Sequence, residues 1–339
     1  MFVRWDELRV EAEHERTLPG YRDPAVVRTF DAPEALDTRF YEVRAKSALN
    51  RVPEKSRMPF RWTINPYRGC AHACKFCFAR PTHKYLDMNA GRDFEREIVV
   101  KVNVPELVRA ELARPSWQRE HVAMGTNTDP YQWVEGRYKL MPGIWEAMRD
   151  FANPCSILTK SPLLLRDLPL MQEVAERTTI TANLSVPTLD EKAWRSTEPH
   201  TPNPRARLEA VAELNRAGIP SGVLIAPLIP GVNDAPEQVE KILELAQEAG
   251  AVHIAGIPLH LRGEVRQIWF EWLEANRPDL LPRYRELYRR GAYMAKDEQA
   301  RLRRLTGSVD TPPRRYLRDA PAPAPARPPP APDPQPSLF

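Results

Sequence analysis

The chain has 339 residues and a net charge of +4 at neutral pH, so it is long enough for one large α/β domain with additions, and its charge by itself names no partner. No stretch reaches the roughly twenty apolar residues of a membrane-spanning helix, and the first residues lack the basic and apolar segments of a secretory signal. The lack of such a stretch predicts no membrane partner. Because the cysteines are few and three of the four share one metal-type loop, the sequence predicts a protein of the reducing cytoplasm.

The predicted elements begin after a polar segment, 1–55, which we expect to be an N-terminal extension with little order of its own. From 56 to 262, short apolar runs alternate with segments of helical periodicity. The predicted strands are 61–65, 121–125, 155–159, 179–186, 222–228 and 252–257, with an additional strand at 97–102. The predicted helices are 105–113, 143–151, 164–175, 204–217 and 236–249. Buried strands that alternate with helices predict a parallel sheet in an α/β domain.

Two different segments follow this core. Residues 263–310 have helical periodicity and many aromatic side chains, which predicts a helical C-terminal cap. Residues 262–318 contain fourteen Lys and Arg but eight Asp and Glu, a local excess of positive charge that weakly indicates a nucleic-acid partner. Residues 311–339 hold eleven of the 36 prolines and few apolar residues, so we expect a disordered Pro-rich tail.

Cys70, Cys74 and Cys77 form a C-x3-C-x2-C motif. A structural zinc site needs four ligands, and a disulfide framework needs an even number of cysteines. A 4Fe–4S cluster held by three thiolates leaves one iron open to a small molecule. The alternatives are a zinc loop completed by His72 or a distant residue, and a buried cluster of cysteines.

Polar side chains also stand where the predicted strands end, the edge at which β/α barrels bind ligands. Thr128 and Asp129 follow the second strand, Lys160 ends the third, and Ser185 ends the fourth. Each has an ordinary alternative, because Asp129 precedes a proline in a turn, Lys160 fits a solvated surface, and Ser185 fits a strand end. Their occurrence on successive strands favours a shared site.

The cysteine spacing, with Phe76 just before the last cysteine, resembles the cluster loop of the radical SAM enzymes. In that superfamily S-adenosylmethionine chelates the open iron, and an electron from the cluster cleaves it to methionine and a 5′-deoxyadenosyl radical. The resemblance implies that Cys70, Cys74 and Cys77 ligate a 4Fe–4S cluster and that S-adenosylmethionine is the cofactor. Together with the strand count, it implies a partial (β/α)6 TIM-like barrel over 56–262.

Three further stretches look like one branch of this superfamily, the spore-photoproduct-lyase-like proteins that are often labelled DNA repair photolyases. They are 65–83, 184–199 and 225–234, and the resemblance spans roughly 56–260. By this resemblance, Thr128 and Asp129 meet the ammonium group of S-adenosylmethionine, while Lys160 and Ser185 meet its carboxylate.

Other residues of these motifs receive no definite role from the resemblance. They are His72, Arg80 and Glu198, and His72 fits a hydrogen-bonding partner of the loop better than an iron ligand. The lyase that repairs thymine dimers has a hydrogen-donating cysteine at the end of its second strand, whereas 123–129 contains none here. Cys155 begins the third strand, at the wrong end, and fits a small buried side chain. We therefore do not expect repair of thymine dimers.

The leading hypothesis is a radical SAM enzyme that abstracts hydrogen from an unidentified substrate, with nucleic acid favoured by the branch and by the basic C-terminal helices. Its reductant would be a ferredoxin- or flavodoxin-type electron donor. The alternatives are modification of a peptide or small metabolite, and a non-catalytic iron–sulfur adaptor that binds DNA or protein. An adaptor needs no groups for S-adenosylmethionine, so the polar strand ends argue against it.

One further motif lies in the Pro-rich tail. Gln335, Leu338 and Phe339 look like the glutamine-x-x-leucine-phenylalanine peptide that docks bacterial replication and repair proteins onto the DNA polymerase sliding clamp. A stiff proline spacer would hold such a peptide away from the domain. We keep clamp docking as a hypothesis beside a chance match in a low-complexity segment.

Overall fold

The computed structural model describes residues 15–30, 37–54, 56 and 58–307. The predicted disordered tail at 311–339 and the clamp motif of Gln335, Leu338 and Phe339 lie outside these residues. Within the described residues, no helix combines the length and the apolar character that crossing a membrane requires.

Twelve strands form the two sheets of the described chain. In chain order they are β1 (Glu15–Arg16), β2 (Ala25–Arg28), β3 (Arg39–Val43), β4 (Leu49–Arg51), β5 (Trp62–Ile64), β6 (Tyr67–Arg68), β7 (Glu97–Lys101), β8 (Val122–Met124), β9 (Cys155–Thr159), β10 (Ile180–Ser185), β11 (Ser221–Leu228) and β12 (Ile254–Pro258).

The helices alternate with the later strands. They are α1 (Arg92–Arg96), α2 (Val104–Leu112), α3 (Glu135–Tyr138), α4 (Leu140–Asp150), α5 (Leu168–Ala175), α6 (Glu191–Thr197), α7 (Pro204–Arg216), α8 (Pro236–Glu248), α9 (Val265–Asn276), α10 (Leu281–Leu287) and α11 (Lys296–Leu305). Short 3-10 helices occupy Arg80–Leu86, Pro162–Asp167 and Pro278–Leu280.

The larger sheet has the order β12-β11-β10-β9-β8-β5-β4. Its strands β5 and β8 to β12 are all parallel and lie in chain order, while β4 adds to the β5 edge in the antiparallel sense. Parallel neighbours need crossover connections, and α4, α5, α7 and α8 supply helices between successive strands. The predicted mixed α/β fold with a parallel sheet is therefore confirmed.

Helices α5 and α7 pack against this sheet, and α4 buries one face in the same core. Helix α4 turns Ile144, Trp145 and Met148 inward, at the spacing of one helical face. Helix α7 starts at Pro204 behind Asn203, whose side chain accepts a hydrogen bond from the Arg205 amide at 2.8 Å. The resulting layers place the core between sheet and helices and leave the strand ends open for a site.

The predicted lack of order in the N-terminal extension is wrong for its described residues. Strand β3 pairs in parallel with β7, and β2 pairs with β3, so that a second sheet forms with the order β1-β2-β3-β7-β6. The additional strand predicted at 97–102 is real, but it belongs to this second sheet. The sequence separation between β3 and β7 hides the pairing, because neither strand shows a partner nearby in the chain.

One predicted helix also begins later than expected. The segment 164–175 starts as the 3-10 turn Pro162–Asp167 and becomes α-helical only from Leu168. Ser161 accepts a hydrogen bond from the Leu163 amide at 3.2 Å and begins this turn. Pro169 in the first turn of α5 fixes the new start. The aromatic segment after 263 contains α9, α10 and α11, as its periodicity predicts.

Candidate active site

The loop that carries the three cysteines leaves the short strand β6. Its first turn needs glycine, since Gly69 has a φ of +79° and a Cβ there would lie 2.9 Å from Ile98 and 3.0 Å from the Phe94 carbonyl oxygen. The Cys70 amide then donates to that same Phe94 oxygen at 2.9 Å. Local backbone geometry therefore fixes the direction in which the first cysteine leaves the sheet.

Polar side chains and backbone from distant segments hold the loop. Gln132 accepts a hydrogen bond from the Ala71 amide at 2.9 Å and donates to the Gly69 carbonyl at 3.2 Å. The Lys75 amide donates to the carbonyl of Thr197, at the end of α6, at 2.9 Å. The loop is thus docked on both sides, which pre-positions its thiols.

Arg80 binds the loop from behind and is fully buried. Its guanidinium donates to the carbonyls of Cys74 at 2.9 Å and Ala73 at 3.1 Å, and to those of Ala90 and Gly91 at 3.0 Å each. Glu95 neutralises the charge at 2.5 Å. These bonds join the cysteine loop to the segment before α1, so Arg80 acts as a positioning residue. The sequence did not assign this role.

Burial disfavours the charged form of two of the three thiols. It raises the pKa of Cys74 well above its ordinary value and that of Cys77 to about 11, so a bound cation would favour their thiolate forms. Among the described residues, no group of three His, Cys, Asp or Glu side chains is arranged to hold one metal ion.

His72 connects the loop to the strand ends. Its Nδ1 lies 3.3 Å from a carboxylate oxygen of Asp129, which follows β8. Burial lowers the pKa of His72, but Cys70 and Asp129 outweigh burial and raise it to about 10. The imidazole thus faces Asp129 from within the cysteine loop, and this contact connects the loop to the end of β8.

Asp129 already has four donors. One oxygen accepts from the Thr159 hydroxyl at 2.5 Å and the Tyr131 amide at 2.9 Å, and the other accepts from the Lys160 amide at 2.7 Å and faces His72. A carboxylate offers about four lone-pair sites. Burial raises the pKa of Asp129, but these partners outweigh burial and lower it below its ordinary value. Asp129 is thus an ionised organiser of the β8 and β9 ends.

Thr128 is buried, and its hydroxyl donates to the Tyr67 carbonyl at 3.1 Å. Like the Asp129 carboxylate, the Thr128 hydroxyl is therefore already hydrogen-bonded within the protein. The structure brings Thr128 and Asp129 beside the cysteine loop, but their polar groups already have protein partners.

Lys160 and Ser185 lie together, as the sequence predicts for residues on successive strands. The ammonium group of Lys160 donates to the Ser185 hydroxyl at 2.7 Å and pairs with Glu198 at 2.7 Å. It also lies 5.7 Å from the ring centroid of Phe76 in the cysteine loop. The ends of β9 and β10 are thereby brought to the loop, and a partly exposed cation stands at the junction.

Glu198 makes contacts beside the candidate site that sequence reasoning did not predict. It is fully buried between Lys160 and Arg207, and the Arg207 guanidinium donates to it at 3.0 Å. Arg207 also donates to the Ser185 carbonyl at 2.8 Å. Burial raises the pKa of Glu198, but the two cations outweigh burial and lower it. The Glu198-Pro199 motif was visible in the sequence, but Arg207 carried no such signal.

Cys155 lies apart from this site. It is buried at the first position of β9, the opposite end from Lys160, and burial raises the pKa of its thiol to about 12. This placement confirms the prediction of a small buried side chain.

The comparisons with known proteins agree with this geometry. The sequence model of the radical SAM superfamily matches residues 64–257. The chain belongs to the radical SAM superfamily. Membership implies a 4Fe–4S cluster and S-adenosylmethionine, and the loop of Cys70, Cys74 and Cys77 and the ends of β8 to β10 lie within the matched residues.

Relatives share most of the chain. An uncharacterized protein of Mycobacterium tuberculosis is 48% identical over 286 residues, which cover 84% of this radical SAM protein and 84% of the relative. An uncharacterized protein of Methanocaldococcus jannaschii is 29% identical over 195 residues, 57% of this chain and 69% of that protein.

Solved structures show a similar fold. Spore photoproduct lyase complexed with dinucleoside spore photoproduct has a TM-score of 0.54 at 16% identity, and the match covers 78% of each chain. A mutant of spore photoproduct lyase has a TM-score of 0.55 at 16% identity, with coverage of 78% of this chain and 76% of that one. The resemblance in fold to this lyase is thus confirmed.

Proposed function

We propose that this protein is a radical SAM enzyme whose cluster is ligated by Cys70, Cys74 and Cys77. The single observation that carries the proposal is the docking of the three-thiol loop onto the strand ends, through His72 on Asp129 and through Phe76 beside Lys160. When bound, the cluster supplies the electron that cleaves S-adenosylmethionine to the radical that abstracts hydrogen from substrate.

The residues proposed for the cofactor differ in how free they are. Lys160 is partly exposed and can turn its ammonium group to a carboxylate, so it fits the carboxylate of S-adenosylmethionine. The Ser185 hydroxyl already donates to the Ala226 carbonyl at 3.0 Å, so a direct bond from Ser185 to that carboxylate requires the hydroxyl to leave Ala226. Thr128 and Asp129 stay the proposed contacts for its ammonium group. Because four protein donors already approach Asp129, direct contact requires that one of them be displaced.

We propose a matching division of the chain. The core of 56–262 would curve into a partial (β/α)6 barrel, since its six parallel strands lie in chain order. Residues 1–55 would be an N-terminal extension that contributes strands to the second sheet, and 263–310 a helical cap. The segment 311–339 would be a separate tail.

Nucleic acid is the substrate class that we favour. Its support is the likeness in fold to a lyase solved with a dinucleoside photoproduct, together with the excess of basic residues at 262–318. The absence of a cysteine from 123–129 speaks against thymine-dimer repair itself. Modification of a peptide or small metabolite is the second candidate, and a non-catalytic adaptor is disfavoured by the Lys160 and Ser185 pair.

The test is anaerobic reconstitution with iron and sulfide, followed by reduction in the presence of S-adenosylmethionine and nucleic acid. We expect slow release of 5′-deoxyadenosine and, with the correct substrate, modified nucleosides. Dithionite is the first reductant to use, and we expect a flavodoxin or ferredoxin to support the same reaction in its place. A stable cluster with no deoxyadenosine under any reductant would support the adaptor instead.

We also propose that Gln335, Leu338 and Phe339 dock on a bacterial sliding clamp, on the strength of the motif alone. A peptide of 333–339 should bind the clamp with micromolar affinity, and alanine at positions 338 and 339 should remove this binding. No binding by the unchanged peptide at high micromolar clamp would dispose of the proposal.

A further inference from the structure

Three aromatic rings form a continuous cluster on the surface directly after the last cysteine. The rings of Phe78 and His260 lie 6.0 Å apart, those of His260 and Tyr293 lie 5.6 Å apart, and both pairs meet edge to face. Phe78 is 53% exposed and Tyr293 is 50% exposed. We call Phe78, His260 and Tyr293 the aromatic trio. A contiguous group of exposed rings, unlike a single exposed side chain, is a feature of interaction sites.

The trio spans the gap between the two ends of the parallel sheet. Phe78 belongs to the segment that follows β5 and the short strand β6, and His260 to the segment after β12. In the larger sheet, β5 and β12 are the first and last of the parallel strands. The same two segments meet again where Lys84 pairs with Glu264. The surface therefore lies beside the cysteine loop, at the carboxyl ends of the strands.

Hydrogen bonds hold the backbone that carries two of the rings, His260 and Tyr293. His260 and Tyr293 share an antiparallel backbone bridge, and the Leu261 amide donates to the Ala292 carbonyl at 2.8 Å. Burial and Arg262 lower the pKa of His260 below its ordinary 6.5, so the imidazole is neutral at pH 7 and stacks as an uncharged ring. A fixed ring loses little conformational entropy on binding.

Positive charge borders the trio. The Arg262 guanidinium lies 5.9 Å from the Tyr293 ring and is exposed to solvent. Exposed rings beside a guanidinium group complement a ligand that is planar and aromatic in one part and anionic in the next.

We propose that the aromatic trio and Arg262 bind unpaired nucleotides of a nucleic-acid strand. Phe78 and Tyr293 stack on bases, and Arg262 meets the phosphate that connects them. This surface would present the substrate nucleotide of the bound strand to the candidate active site, which rests on the proposed function. Recognition by stacking predicts tolerance of base sequence and a preference for single strands, because paired bases already stack on each other.

An acidic electron-donor protein is the other anionic partner that such a surface admits. The observations favour nucleic acid because the exposed area includes two separate aromatic rings, Phe78 and Tyr293, each of which can stack on one base. A transient redox contact needs only charge and a short path to the cluster, and would not require Tyr293, which lies on the far side of His260 from the cysteine loop.

The experiment measures binding of a fluorescein-labelled, twelve-nucleotide single strand to the reconstituted full-length protein by anisotropy. Phe78→Ala and Tyr293→Ala should each weaken binding about 5- to 100-fold, the effect of losing one stacked base. Phe78→Tyr keeps a ring and should bind within about twofold of the unchanged protein by the same reasoning. Arg262→Gln should reduce the slope of log K against log salt by about 0.7.

Tyr85→Ala is the matched control, since Tyr85 is 75% exposed and no ring contact in the described residues joins it to the trio. It should leave affinity unchanged, and iron content should be equal in all variants. The proposal would be overturned if a duplex bound as tightly as the single strand. It would also be overturned if Phe78→Ala bound the strand with unchanged affinity while flavodoxin reduced its cluster more slowly. If the protein forms deoxyadenosine but does not bind the strand, the strand-binding proposal is wrong and the proposed radical SAM function stands. If it binds the strand but forms no deoxyadenosine, the proposed function is wrong and the strand-binding proposal stands.

Discussion

At the scale of single residues, the site depends on a buried chain of alternating charges. Lys160, Glu198 and Arg207 follow one another at 2.7 and 3.0 Å, so that one carboxylate holds two cations. A buried carboxylate is tolerated when it is paired and hydrogen-bonded, which is the case for Glu198. The arrangement orients the ammonium group of Lys160 towards Ser185 and the cysteine loop.

Lys160→Ala should therefore weaken S-adenosylmethionine binding at least tenfold while iron content stays unchanged. A desolvated charged group that meets a ligand is typically worth about 2–5 kcal/mol. Lys192→Ala, on the exposed side of α6, is the matched control and should bind like the unchanged protein. Equilibrium binding to the reconstituted proteins measures both, and equal affinities would remove Lys160 from the cofactor site.

Glu198→Gln should destabilise the fold, because it leaves Arg207 and Lys160 without their shared anion, and breaking a buried pair costs about 3–5 kcal/mol. The pH dependence has a definite sign. Since the folded protein lowers the pKa of Glu198 below its ordinary 4.5, the stabilisation is complete above that pH and is lost as pH falls further. Urea unfolding at pH 7 and pH 4 should show a smaller acid loss in Glu198→Gln, and identical losses would contradict this account.

At the scale of elements, periodicity predicted the core strands and helices closely. Strand β9 occupies the predicted 155–159, and β10 and α7 differ from prediction by a residue at their ends. These elements are buried on a regular face, so their apolar pattern appears in the sequence. The second sheet was not predicted as a sheet, because β2 and β3 are short and mixed in polarity, and their stability comes from pairing with β7.

The same limit applies to the site. Spacing predicted the three cysteines as ligands, and strand ends predicted that Lys160 and Ser185 lie together, because both predictions depend on local order. The partners of Arg80 and Glu198 depend on which carbonyls and cations the fold brings near them. That information is tertiary, and neither residue differs in type from an ordinary surface charge.

The contacts of Arg80 predict how its removal affects the cysteine loop. Arg80→Ala should lower the free energy of unfolding by about 3–5 kcal/mol, since it frees four carbonyls and leaves Glu95 without its buried cation. It should also speed the loss of iron from the reconstituted protein. Arg92→Ala, whose side chain is exposed and lies 3.8 Å from Asp37, is the control and should change neither. Equal iron retention in the two variants would show that Arg80 does not position the loop.

At the scale of the whole molecule, two sheets meet at the cysteine loop. Strand β6 belongs to the smaller sheet and leads into the loop, while the ends of β8, β9 and β10 come from the larger sheet. The cap helices begin after β12, beside the aromatic trio. The chain thus brings a candidate cluster loop, a candidate cofactor site and a candidate strand-binding surface to one edge.

The most direct test is the iron and sulfide content of the anaerobically reconstituted protein and of two cysteine variants. The unchanged protein and Cys155→Ala should each hold about four irons and four sulfides, since Cys155 is buried away from the loop. Cys74→Ala should lose the cluster or hold it without cleaving S-adenosylmethionine. One tightly bound zinc per chain with no sulfide, or an active four-iron cluster in Cys74→Ala, would contradict the account.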